Sequence, residues 1–395
     1  MKRSFLFTSE SVTEGHPDKL CDQISDAIVD QFLARDPLSR VRTECAVSKG
    51  MVFIAARFAS SAKLDIPEVG RSVINAVGYR EGEFNAKDCT ILTSITELPV
   101  QAVISAAERE LSEAALERLT VANQATVFGF ACRQTPALMP MPIWLAHQLA
   151  RRLTTVRFEG ALPYLCPDGK TQVGIEYRDG RPARIHSVTL IASQRRSEKP
   201  SLGELRADLI EQVVNPVFAN EPLRPDDRTH IFVNPDGPLV IGGPVVHSGL
   251  TGRKNAVDTY GEYSRHSGAA LSGKDPLRID RVGAYAARYA AKNVVAAGLA
   301  EECEVQLSYT IGLARPVSIQ VETFATGRIP DEDIVQRLTA CFDFRLGAII
   351  KAFDLRLLPA RHHANFFKRL ATYGQVGRVD LPVPWEDTDR VESLR

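Results

Sequence analysis

The sequence has no surplus of charge of either sign: 48 Lys and Arg are matched by 48 Asp and Glu. That balance argues against a nucleic-acid binder, which needs a basic excess to displace counterions from phosphates. Long apolar runs are also missing. The start, MKRSFLFTSES, turns polar after three apolar residues, and no stretch of 18 apolar residues occurs anywhere. No secretory leader and no membrane span are expected, and the expected location is cytoplasmic. Cysteine is sparse and scattered, at Cys21, Cys45, Cys89, Cys132, Cys166, Cys303 and Cys341, with no C-x-x-C pair. An odd, widely spaced set supports neither a disulfide framework nor a zinc site and suits reduced, buried thiols. A Walker A loop is absent too. Gly268 to Lys274 fits G-x-x-x-x-G-K, but Asp275 replaces the Ser or Thr that would hold magnesium, Pro276 follows, and no clean strand precedes.

What is present is a soluble composition, 44% apolar over 395 residues, which suits two or three domains. Its most informative stretch is Gly237 to Arg281. After the strand-like Leu239-Val240-Ile241 come seven glycines between Gly242 and Gly273, with Arg253, Lys254, Lys274, Arg278 and Arg281 threaded among them. Glycine lets backbone N–H groups approach a ligand, and clustered cations hold phosphate oxygens. The stretch reads as a polyphosphate cradle. The plainer alternative is a glycine-rich surface loop with solvated charges.

A second segment, Thr8 to Lys19, places His16 and Asp18 around Pro17, which suits the first turn of a helix. Leu20, Ile24, Ile28 and Phe32 follow at helical spacing. On the other face Asp18, Asp22, Asp26 and Asp30 repeat every four residues, and this stripe is expected to be mostly a solvated face. At such a junction a histidine can protonate or hydrogen-bond a departing phosphate oxygen while a neighbouring Asp holds magnesium. A simple helix cap is the alternative. Further along, Asp168-Gly169 signals a hairpin turn, with Lys170 opening the next strand. Residues 100–119, alanine- and glutamate-rich, read as an exposed helix or a mobile cover. Strand pairs followed by helices recur three times, an α+β pattern that hints at triplication, with divisions expected at 1–119, 120–236 and 237–395.

Six blocks carry a family resemblance: TSESVTEGHPDK at Thr8–Lys19, GGP at Gly242–Pro244, GLTGRK at Gly249–Lys254, VDTYG at Val257–Gly261, SGKDP at Ser272–Pro276 and AYAARYAAKNVVAAGLA at Ala284–Ala300. Together they resemble the S-adenosylmethionine synthetase (methionine adenosyltransferase) family nearly end to end. The resemblance implies three similar α/β-sandwich domains about a pseudo-threefold axis. It also implies homodimers with shared active sites, or tetramers made of two such dimers, two Mg2+ and one K+. The implied reaction is ATP, L-methionine and water giving S-adenosylmethionine, phosphate and pyrophosphate. Carried over by position, His16 would assist departure of the triphosphate, and Lys170, Arg253, Lys254 and Lys274 would hold it. Asp168, Leu239, His247 and Ala270 would line the ATP site. Asp18 and Asp280 would bind Mg2+, and Glu44 K+. Residues 100–119 would cover the site.

The departures gather at the sulfur substrate's end. Arg57 stands where the family has a glutamate that meets methionine's ammonium group. Asn123 and His247 each replace an aspartate, Leu239 replaces an aromatic that stacks on adenine, and Pro238 the arginine before it. Gln101 still matches a methionine contact, and Arg278 keeps the charge of a family lysine. An arginine about 4 Å from an ammonium costs roughly 4 kcal/mol at an effective dielectric of about 20. Three readings therefore stay open: an ordinary methionine adenosyltransferase, a relative that adenosylates an acidic or non-amino-acid sulfur compound, and a silent subunit that regulates an active homologue.

Overall fold

A computed structural model describes residues 4–80, 82–100, 111–197 and 200–395. In chain order the strands are β1 (Ser4–Val12), β2 (Arg40–Ser48), β3 (Met51–Ala59), β4 (Thr90–Glu97), β5 (Ala125–Cys132), β6 (Leu165–Arg178), β7 (Arg181–Gln194), β8 (His230–Val233), β9 (Gly249–Leu250), β10 (Glu302–Tyr309) and β11 (Ser318–Glu322). They form three sheets, ordered β4-β3-β2-β9, β1-β6-β7-β8 and β11-β10-β5. Each sheet takes a strand from another third of the chain. β1 pairs antiparallel with β6, β5 with β10 and β9 with β2. One long helix covers each sheet: α1 (Pro17–Arg35) on β2, α2 (Met141–Phe158) on β6 and β1, and α3 (Ile279–Ala296) on β5 and β10. This cyclic exchange of strands is the α+β, three-sandwich architecture expected from the sequence.

Helix α1 starts where its sequence says. His16 caps α1, its Nδ1 accepting the Asp18 N–H at 3.2 Å, and Pro17 fills the first turn, where no amide partner is needed. The acidic stripe of α1, however, is not a solvated face. Asp18, Asp22, Asp26 and Asp30 are all buried. Asp18 accepts from Leu250 N, Asp22 from Gly252 N and Lys19, Asp26 from Gly273 N and Arg281, and Asp30 from Phe367 N and Lys368 N. A repeat of four on a helix marks one face, and this face meets the glycine-rich segment at Asp18, Asp22 and Asp26, and the backbone of 367–368 at Asp30, instead of water.

Two further expectations fail locally. Asp168-Gly169 lies inside β6, at an irregularity of its pairing with β7. The hairpin turn is instead Asp179-Gly180, with φ of +50° and +77°, the left-handed pair that matches strand twist. Leu239 to Ile241 forms no strand: Val240 makes a lone bridge to Gln194, because Pro238 and the following glycines leave no partner run. Of the 100–119 segment, 101–110 lie outside the described residues. Within the remainder, Glu113–Arg118 is a short helix with Ala115 and Leu116 buried. No helix among the described residues is long and apolar enough to cross a membrane.

Candidate active site

Two close approaches build the site. Gly15 stacks on the backbone of Pro167, where a Cβ would meet it at 2.3 Å, and Gly249 lies on Pro17, where a Cβ would meet it at 2.2 Å. Larger residues at either place would push α1 away from β6 or β9. The result is a cleft of about 350 Å³ lined by His16, Asp18, Lys170, His247, Ser248, Arg253 and Lys254.

Asp168, buried beneath this cleft, organises it. Its Oδ2 accepts from Gly243 N at 2.7 Å and faces His247 Nε2 at 2.9 Å, while Oδ1 is buried without a hydrogen-bond partner. Burial alone would raise the Asp168 carboxyl, but the His247 hydrogen bond, His16 and Gly243 N–H carry it below the usual carboxylate value. The His16 ring stands edge-on to His247, centroids 4.9 Å apart. Burial pushes the His16 imidazole down to about 3; Asp168 opposes this, and His247, Lys254 and Lys170 reinforce it. His16 is therefore neutral near pH 7. Since Nδ1 accepts the Asp18 N–H, Nε2 carries the ring's proton, so His16 offers a hydrogen bond and not a charge.

The cations differ in freedom. Lys170 projects from β6 into solvent, and Arg253 is half-exposed, 3.9 Å from Asp18. Lys254 pairs with Glu10 at 2.9 Å.

Asp280, Lys274, Asn123, Glu44 and Arg57 belong to a second group, joined through Arg42. Asp280 Oδ2 accepts from Lys274 Nζ and from Asn123 Nδ2, both at 3.0 Å, leaving Asn123 Oδ1 buried and unpartnered. Burial lowers the Lys274 ammonium, which Asp280 partly restores. The Lys274 backbone bridges to Arg42, which pairs with Glu44 at 2.8 Å and lies opposite Arg57 across β2 and β3. Arg278, half-buried, precedes α3. Leu239 is half-buried, its carbonyl accepting from Gln194 N, and Ala270 packs under Gly252. Gln101 lies outside the described residues.

The two groups sit at opposite ends of β2. Arg42 meets Lys274, whereas Ser48 bonds the cleft's Ser248 at 2.9 Å. Six strand residues span about 20 Å.

Sequence reading missed several supporting residues. Glu10 pairs with Lys254, and Asp26 clamps Arg281, their charged atoms 2.6 Å apart with both side chains fully buried. The signal for Asp26 was in plain sight: a carboxylate every fourth residue opposite a segment rich in glycine N–H groups.

A cleft with two imidazoles and three cations, built over a buried carboxylate, defines a protein that handles a phosphorylated anion. The comparisons narrow this class. Family models described as the N-terminal, central and C-terminal domains of S-adenosylmethionine synthetase match residues 4–99, 118–239 and 241–387. A protein of Synechococcus sp. described as S-adenosylmethionine synthase is 50% identical over 99% of this chain and 97% of its own length. Proteins of the same description from Gloeobacter violaceus and Trichodesmium erythraeum are 49% and 48% identical, over 99% and 100% of this chain and 97% of their own lengths. The chain belongs to the S-adenosylmethionine synthetase family.

Proposed function

We propose that this protein is a methionine adenosyltransferase, converting ATP, L-methionine and water to S-adenosylmethionine, phosphate and pyrophosphate. The observation that carries this reading is the His16–Lys170–Arg253–Lys254 cleft in a chain about half identical, end to end, to synthases of that name. The thioether sulfur carries no proton, so no general base is required. Sulfur attacks C5′, the C5′–O bond breaks, and its electron pair passes to the triphosphate oxygen. The cleft's ammonium and guanidinium groups meet that growing charge, and His16 Nε2–H is placed to donate to the departing oxygen. Water then attacks the bound triphosphate, giving phosphate and pyrophosphate.

Asp18 and Asp280 offer the oxygen ligands that suit Mg2+, which when bound would neutralise phosphate charge. Asp18 keeps one oxygen beyond the one held by Leu250 N, whereas Asp280 already shares an oxygen between Lys274 and Asn123. Glu44 fits K+ less readily, since Arg42 donates twice to its Oε1 and would have to release it.

The reading includes a dimer. Met51, Phe53, Leu92 and Leu250 lie on the outer face of the β4-β3-β2-β9 sheet and are 43% to 49% exposed. A second copy packed on this apolar face, about a two-fold axis perpendicular to β2, would set one chain's Lys274 group over the other's His16 cleft.

Arg57 and Asn123 favour a second reading, in which the sulfur compound is acidic or lacks an amino group. Arg57 is exposed and faces Arg42, a cationic pair poorly suited to an ammonium. Mass spectrometry of products from ATP, Mg2+, K+ and a panel of thioethers tests both. A sulfonium product formed only with methionine supports the first reading, and one formed only with an acidic thioether replaces it. Under the second reading Arg57→Glu improves methionine use, and no change removes Arg57 from specificity.

A further inference from the structure

We propose that His16, Asp168 and His247 form a site for a borderline divalent transition cation of the Zn2+ class, distinct from the oxygen-ligated Mg2+ positions. One ligand atom from each residue lies within 4.8 Å of the others. His247 Nε2 and Asp168 Oδ2 are already 2.9 Å apart, and Asp168 Oδ1 is a buried acceptor with no partner. Gly243 N–H fixes Asp168 from behind, as outer hydrogen bonds do for metal-bound carboxylates. Two imidazoles and one carboxylate, open on the fourth side to the cleft, form the donor set that Zn2+ or Co2+ prefers and Mg2+ does not.

Some closing of the site is needed. Bonds of about 2.0–2.1 Å place tetrahedral ligands roughly 3.4 Å apart, so a gap at the 4.8 Å limit must shrink by about 1.4 Å and a narrower one by less. The His247 side chain, 34% exposed, has the room to turn. His16 must ligate through Nε2 and carry its proton on Nδ1. Asp18 Oδ2, 3.8 Å from Nδ1, is placed to accept that proton's hydrogen bond in place of the one now received from Asp18 N–H. The occupied site therefore ties up His16, Asp18 and His247 together. Ligation through Nε2 removes the N–H that His16 offers the departing oxygen, which makes the occupied site inhibitory.

The test titrates metal-stripped full-length protein with Co2+ and follows its visible d–d absorption, so it does not depend on turnover. The expected result is one equivalent bound, weakened but not abolished by excess Mg2+, which competes only for Asp18. Loss of an outer hydrogen bond alone weakens metal sites by about 10- to 100-fold, so His247→Asn, which deletes a ligand on the half-exposed side, should weaken Co2+ at least that much. Asp168→Asn should do the same if it folds, and His247→Asn decides the matter if it does not. Absence of the d–d band, or a band undiminished in His247→Asn, overturns the proposal.

Discussion

The division of the candidate residues between two ends of β2 leads to a mixing experiment. Lys170→Ala disables the cleft group and Lys274→Ala the second group. Each change deletes a cation that would meet charge developing on the triphosphate, and loss of one such contact costs about 2.7–4 kcal/mol, or roughly 100- to 1,000-fold in turnover. Each homodimer is therefore nearly silent. If a working site takes the cleft from one chain and the Lys274 group from the other, a heterodimer has one site with both defects and one with neither. Random exchange of equal amounts makes half the dimers heterodimers, each with one intact site of two, so the mixture regains about one quarter of wild-type activity. The assay is phosphate release after co-refolding of the two variants, with size-exclusion chromatography to show dimers. A mixture no more active than the average of its parents, with heterodimers present, would place the whole site in one chain and refute the reasoning.

Three other outcomes are expected. His16→Ala should lower turnover about 100-fold or more, and His16→Asn should recover part of it, because a neutral donor is what the buried imidazole supplies; equal rates for the two variants would refute this role. Asp26→Ala should destabilise the fold by about 3–5 kcal/mol in urea unfolding, since it strands the fully buried Arg281 and the Gly273 N–H; a loss below about 1 kcal/mol would show that the clamp is not needed. Glu386 takes hydrogen bonds from Arg288 and Lys292 at 2.8 to 3.0 Å. Burial alone would raise its carboxyl, but these partners hold it below the ordinary 4.5. Its folded value lies under its unfolded one, so its contribution is complete above the unfolded value and is lost as pH falls through the folded value. Glu386→Gln should thus destabilise the protein at pH 7 and converge with wild type in acid, as a pH series of unfolding curves would show.

The fold class, the start of α1 and the nearness of Arg253 and Lys254 were legible because they rest on local signals: a proline after a capping residue, alternating strands, cations beside glycines. What was not legible depends on a partner element. Asp168-Gly169 has turn chemistry, but Gly169 pairs with Ala192 of β7 and its carbonyl accepts from Thr13 N, and pairing overrides local preference. Nor does sequence order say that Lys274 belongs with Arg42, some 230 positions earlier, instead of with Lys254, since only the bridge between segments decides it.

The aspartates of α1 show why the glycine-rich segment works differently from a phosphate loop. Its amides at Leu250, Gly252 and Gly273 are already bound to Asp18, Asp22 and Asp26, so at these places the backbone N–H groups are turned inward, away from any ligand. Those carboxylates do for the loop what a bound phosphate does for a Walker A loop: they satisfy its donors and fix its path. An incoming polyanion must then be met by side chains, and the same inward pull on the backbone at Leu250 and Gly252 leaves Arg253 half-exposed at the cleft. Gly249 and Gly273 serve the close packing of this loop on α1 and β2, and the anion site is built from cations on its outer side.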